Sequence, residues 1–179
     1  ALARLLQAGY PVPDGCVLLP AAFEGDELKP EAWTQVQACL ARMREPAGLL
    51  SFAVRSSALV EDSARASFAG EFETVLDVAA DEEVQAAIRA VRRSRHSERV
   101  RAYLAAQGLA AVLEPGPLEM AVVVQRLVRA EIAGVLFTAD PVSGSRDRMV
   151  GSYVHGLGEG LVAGEVTGQA FALERPKGS

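Results

Sequence analysis

Val54-Arg55-Ser56-Ser57-Ala58-Leu59-Val60-Glu61-Asp62-Ser63-Ala64-Arg65-Ala66-Ser67-Phe68-Ala69-Gly70-Glu71-Phe72-Glu73-Thr74 is the stretch on which the fold turns. A short apolar run, Phe52-Ala53-Val54, delivers Arg55 into a loop of small residues. The loop closes at Gly70 and leads into a second β-rich run, Thr74-Val75-Leu76. A strand, a cation of fixed charge and a loop of Gly, Ser and Ala are the parts that hold a phosphate chain. Arginine is planar, always charged and able to grip phosphate through two hydrogen bonds. Small residues let backbone N–H groups come close to an anion. On spacing alone, an ordinary hairpin with a surface arginine is the simpler reading.

Composition sets the frame around this stretch. The chain has 179 residues, half of them hydrophobic and 23% charged, which is globular rather than disordered. That length suits one domain or two small lobes. A net charge of −5 argues against a nucleic-acid coat, which needs a basic surface, but not against a nucleotide in a local positive pocket. Cys16 and Cys39 are too few for a disulfide framework and read as small buried apolar residues. No stretch approaches the ~18 consecutive apolar residues of a membrane span. The chain opens without Met and without a basic-then-apolar leader. The expectation is a cytoplasmic protein, seen as an excised piece or without its flanking sequence.

Working outward, residues 1–8 read as an amphipathic helix closed by Gly9, with Pro11 and Pro13 preventing its continuation. Cys16 to Leu19 is a short buried strand. Pro30 to Met43 is a helix with Trp33, Val36, Leu40 and Met43 on one stripe, Trp33 serving the core. Strands follow at 49–55 and 73–78. A helix from Asp81 to about Ser94 buries Val84, Ala87, Ile88 and Val91, and another runs from Ser97 to Gln107. Arg89, Arg92, Arg93, Arg95, Arg99 and Arg101 make a basic cluster across these two helices; a solvated face or a phosphate or partner site would both fit. Pro115-Gly116-Pro117 marks the best lobe boundary. Met120–Val128 and Ile132–Phe137 are β-rich and expected as adjacent antiparallel strands. Further strands are expected at 148–153 and 171–173, separated by a stretch with glycines at 156, 158, 160 and 164, too many for a stable helix without tertiary support.

The literal residues say more than the spacing. Val-Arg-Ser-Ser-Ala, Glu-Asp, Ala-Ser-Phe-Ala-Gly and Glu-Thr-Val-Leu-Asp-Val in order resemble the nucleotide-binding domain of phosphoenolpyruvate synthases and rifampicin phosphotransferases, with pyruvate phosphate dikinase a more distant cousin. Ala8-Gly9-Tyr10-Pro11-Val12-Pro13-Asp14-Gly15, Val122 to Val128 with Gly134 to Gly144, and Gly156-Leu157-Gly158-Glu159 with Gly164-Glu165-Val166-Thr167 are similar to further family stretches in the right order.

The resemblance implies an α+β, ATP-grasp-like domain with mixed and antiparallel sheets. Its first lobe, residues 1–114, would carry Arg55 and the 56–70 phosphate loop. An incomplete second lobe, residues 115–179, would face it across a cleft. It implies a kinase-type phosphotransferase that splits ATP to AMP and phosphate while loading a histidine, then passes the phosphate to pyruvate or another small acceptor. Arg55 would contact the phosphates and serve as the catalytic cation. Gly70 would offer a backbone N–H, Thr74 a hydroxyl, and Gln125 would sit at the adenine edge in the stretch linking the lobes. Thr138 and Glu159 complete the set of nucleotide contacts, Glu159 with a helix cap as its rival role. Asp140 before Pro141 fits an ordinary turn. Ser56 and Ser57 read as hydroxyls near phosphate. Neither His96 nor His155 has the Gly-rich neighbours of the family's carrier histidine, and no Cys/His cluster has metal-ligand spacing.

The family pattern also includes a Gly-Gly-Lys segment, acidic Mg2+ ligands on a later strand, a phosphohistidine carrier domain and an acceptor domain, none of them within these residues. The isolated chain is therefore expected to be inactive as an enzyme, with ATP and the two other domains as partners and neither nucleic acid nor membrane among them. Two alternatives remain at this point: a truncated non-catalytic nucleotide-binding or regulatory module, and a rifampicin phosphotransferase-like, antibiotic-modifying enzyme.

Overall fold

A computed structural model describes residues 2–44, 50–58, 72–106 and 119–175. The fold is mixed α+β, with antiparallel sheets and helices. The chain divides into two compact units, Ala1–Leu127 and Val128–Ser179. No described helix is long and apolar enough to cross a membrane.

In the first unit, helix α1 (Leu2–Gln7) ends at Gly9, which takes the left-handed backbone that a helix terminus favours. Strand β1 (Gly15–Leu18) leads through a short 3-10 turn (Pro20–Ala22) to a hairpin of β2 (Phe23–Glu24) and β3 (Glu27–Leu28). Helix α2 (Pro30–Arg44) starts with its proline at the first helical position, where a missing N–H costs nothing. Strands β4 (Phe52–Ala58) and β5 (Thr74–Val78) precede α3 (Asp81–Arg93), a 3-10 turn η2 (Ser94–His96), α4 (Glu98–Ala106) and β6 (Met120–Arg126). The acidic first turn of α3, Asp81-Glu82-Glu83, complements the positive helix terminus. There the Glu83 carboxylate accepts the N–H groups of Ala79 and Ala80 at 2.9 and 3.0 Å.

Four of these strands form one antiparallel sheet in the order β1-β6-β4-β5. Alternation along each strand sends one set of side chains to the core. Leu18, Phe52, Val54, Val122 and Val124 are buried there against Val36, Leu40 and Met43 of α2, Val84, Ile88 and Val91 of α3, and Val100 and Leu104 of α4. Trp33 packs on the same cluster. Cys39 belongs to it and Cys16 lies against it, both as free thiols. Burial, with Cys39 close by, pushes the Cys16 thiol up to about 12, so it behaves as an inert apolar group.

Two expectations need correction. Met120–Val128 and Ile132–Phe137 are not neighbouring strands. Both edges of β6 are taken, by β1 and β4, so no edge remains for the next strand. For the same reason the chain divides after Leu127 rather than near 114: β6 belongs to the first unit's sheet.

The second unit is a three-stranded antiparallel sheet, β7 (Ile132–Phe137), β8 (Arg148–His155) and β9 (Gln169–Glu174), in that order. The glycine-rich stretch yields only a single helical turn, α5 (Glu159–Val162). Gly151 is required by close packing: a Cβ there would stand 2.4 Å from the Val135 carbonyl oxygen and 2.7 Å from the Phe171 ring. Phe171 thereby tilts against Tyr153, their rings 6.1 Å apart.

Candidate functional site

The register of the four-stranded sheet decides which residues meet. Arg55 lies directly opposite Thr74 on β5 and Val123 on β6, and Val123 lies opposite Val17 on β1. Directly opposed residues share a face. Gln125, two positions along β6 from Val123, stands opposite Ala53 and Gly15 on that same face. The sheet therefore gathers Arg55, Thr74 and Gln125 on one side. Neighbouring strands lie about 4.8 Å apart and diagonal neighbours about 7–8 Å, so the three fall within reach of one small ligand.

This is the face away from the helices. The core side carries Phe52, Val54, Val122 and Val124, whereas Arg55 and Thr74 are exposed and Val17 retains 58% of its accessible surface. Gln125 is half-buried, and its Nε2 donates to the Pro13 carbonyl oxygen at 3.0 Å.

The Arg55–Thr74 pairing depends on a feature that spacing did not reveal. β4 and β5 pair as Phe52↔Val78 but Val54↔Val75, leaving an extra residue on β5. Asp77, with φ of 60°, occupies this bulge in the left-handed region that Asp tolerates better than most residues. Without the extra residue the register would bring Val75 opposite Arg55. The bulge shifts β5 by one residue, which exchanges its faces and sets Thr74 opposite Arg55 on the same face. An Asp inside Thr-Val-Leu-Asp-Val, a poor strand residue in a β-rich run, is the signal that could have shown it.

Gly70 lies outside the described residues, as does the loop from 59 to 71. Thr138 and Glu159 belong to the second unit and are not brought together. Thr138 follows the last residue of β7 and accepts a hydrogen bond from Arg175 at 2.7 Å through its backbone carbonyl. Glu159 is exposed at the start of α5, beyond the opposite end of β7, because Gly158 lies against Ala133 and Gly156 donates to Glu131. Six strand residues separate the two ends, about 17 Å of extended chain.

Asp140 is a buried turn residue. Its carboxylate accepts Arg148 Nη2 at 2.6 Å and the N–H groups of Val142 and Ser143 at 2.9 and 3.3 Å. The Arg148 hydrogen bond, then the two backbone N–H groups, hold its pKa well below the usual carboxylate range against the opposing effect of burial. Among the described residues no group of three or more His, Cys, Asp or Glu side chains is placed to hold a metal ion.

Four of the six arginines of the basic cluster are committed to the fold. Arg89 and Arg93 pair with Glu27 at 3.0 and 2.7 Å, and Arg95 pairs with Asp26 at 2.7 Å while donating to the Gly25 carbonyl. His96 reaches Asp26 at 3.1 Å. Arg92, buried, donates to the Met120 carbonyl and lies over the Phe23 ring at 4.6 Å. Together these cations fasten the β2–β3 hairpin to α3 and η2. Burial opposes ionisation of Asp26, but the Arg95 hydrogen bond and the charges of Arg95 and His96 win, and its pKa lies below the ordinary value.

Comparison with known protein families matches residues 17–179 to the pyruvate phosphate dikinase AMP/ATP-binding domain. Among curated proteins, the prodigiosin synthesizing transferase PigC of Serratia marcescens is 40% identical over 72% of this chain and 14% of its own length. The phosphoenolpyruvate synthase of Aeropyrum pernix is 40% identical over 69% of this chain and 14% of its own. A rifampicin phosphotransferase from a Streptomyces species is 40% identical over 78% of this chain and 15% of its own. The chain thus spans about one seventh of the length of these relatives.

Proposed function

We infer that this chain, which belongs to the pyruvate phosphate dikinase AMP/ATP-binding domain family, holds ATP on the open face of its four-stranded sheet as the ATP-grasp-like nucleotide domain of a phosphotransferase. The observation that carries this is the convergence of Arg55, Thr74 and Gln125 on the sheet face that the described helices leave uncovered. Phosphoryl transfer asks a protein mainly for positioning and for neutralisation of phosphate charge. Arg55 supplies the charge, the Thr74 hydroxyl a second polar contact one strand away, and Gln125 reads the base. Gly70 adds a backbone N–H from the loop. Thr138 and Glu159 rest on the family resemblance alone. Mg2+, held by residues other than those described, would supply further neutralisation of the phosphate charge.

The whole-protein activity we propose is ATP-dependent phosphorylation of a carrier histidine on another domain, followed by transfer to a small acceptor. Pyruvate leads because the named relatives include phosphoenolpyruvate synthases; an antibiotic is the alternative, since another is named a rifampicin phosphotransferase.

Titration of the chain with ATP tests the site. Arg55→Ala removes one charge-assisted contact worth about 1.5–3 kcal/mol, so affinity should fall about tenfold to hundredfold. Equal affinity in wild type and variant would remove Arg55 from the site.

A further inference from the structure

The Pro11-Val12-Pro13-Asp14-Gly15 segment meets the Gln125 side chain at one polar atom. Gln125 Nε2 donates to the Pro13 carbonyl oxygen at 3.0 Å. A primary amide has one end that donates and one that accepts, and a free glutamine can turn over to offer either. A backbone carbonyl can only accept. It therefore fixes the amide: turning it over would set Oε1 against the Pro13 oxygen, two acceptors face to face. Proline's ring presets the backbone that carries this carbonyl. The adjoining carbonyl of Asp14 accepts the Arg126 N–H at 2.8 Å, holding the segment alongside β6.

Gly15 makes the arrangement sterically possible. It stands directly opposite Gln125, and a Cβ there would lie 2.7 Å from the Val124 carbonyl oxygen and 3.1 Å from Gln125 Cα. Any side chain at position 15 would push β1 away from β6, and the Pro13 carbonyl with it.

We propose that the Pro13 carbonyl and Gly15 are positioning elements that turn Oε1 of Gln125 toward a bound base, so that the site selects a 6-amino purine over a 6-oxo purine. The proposal rests on the reading of this face as a nucleotide site. An oriented Oε1 accepts from an exocyclic amino group. Against an exocyclic oxygen it meets a second acceptor, and the mismatch cannot be relieved by turning the amide over.

Binding of ATP and of inosine triphosphate, which carries oxygen in place of the 6-amino group, tests this on the whole chain. The expected result is ATP favoured by about tenfold or more. Gly15→Ala and Gln125→Met should each bring the ratio toward one by weakening ATP more than inosine triphosphate, with thermal unfolding run alongside. If Gly15→Ala does not fold, Gln125→Met decides. Equal affinity of the wild type for the two nucleotides overturns the proposal and leaves the nucleotide site standing. No binding of either overturns the site reading itself. Full selectivity in a folded Gly15→Ala variant removes Gly15 from the mechanism.

Discussion

Two basic regions of the first unit hold opposite lessons. The stretch across α3 and η2 is dense with arginine, and Arg89, Arg92, Arg93 and Arg95 each bind another part of the protein. The open face of the sheet carries Arg55, exposed, with no carboxylate paired to it among the described residues. Charge density alone would send an anion to the helices. The contacts reverse that judgement, because a guanidinium already occupied by Asp26 or Glu27 would have to give up that partner to hold a phosphate. The dense region is a clasp, and the sparse one is where a ligand can be met.

The sharpest way to break this contrast is Arg95→Ala. Arg95 keeps only 5% of its surface, and removing it strands the Asp26 carboxylate. Breaking a buried pair costs about 3–5 kcal/mol, and we expect the low end because Asp26 is partly exposed and keeps His96. The denaturant midpoint should drop accordingly, while the folded protein binds ATP as before. An unchanged midpoint would mean the clasp is ornamental.

Asp77→Val probes how the face is built. A β-branched residue in the left-handed region should cost about 1–2 kcal/mol and favour a register in which Thr74 no longer faces Arg55. Asp77→Gly should keep both stability and register. Unfolding curves and nucleotide titrations of the two variants separate these outcomes, and equal behaviour would remove the bulge from the account.

Acid should loosen the clasp. The folded-state pKa of Asp26 lies below its ordinary value, so its contribution is present above about pH 4, the unfolded value, and is lost as pH falls through the folded one. Unfolding measured from pH 7 to 3 should show stability declining, with a shallower slope in Asp26→Asn. An identical slope would show that the ion pairs carry no linkage.

The smallest expected effect is the stability of Arg55→Ala. A surface residue outside the core should shift the folding free energy by no more than about 0.5 kcal/mol. A large loss would make Arg55 a structural residue like those of the clasp.

Much of this was legible in the sequence. The 3.6-residue period of Val84, Ala87, Ile88 and Val91 predicts α3, and the apolar runs on either side of the small-residue loop predict β4 and β5 as strands. What escaped has physical causes. The β2 and β3 strands have two residues each, too short to carry any period, so the hairpin and its basic clasp were invisible. Nearness in sequence suggested that β6 would pair with β7, but strand order is set by which edges are already filled. The bulge at Asp77 is one residue of register, which no hydrophobic pattern encodes. The role of Pro13 depends on a contact across 112 positions of chain, beyond any local motif.

Amide hydrogen exchange with and without an ATP analogue tests the central claim most directly. The account predicts slowed exchange in peptides spanning Phe52–Ala58, Thr74–Val78 and Met120–Arg126, with no change across Arg89–His96. Protection confined to Arg89–His96, with the sheet unaffected, would contradict it.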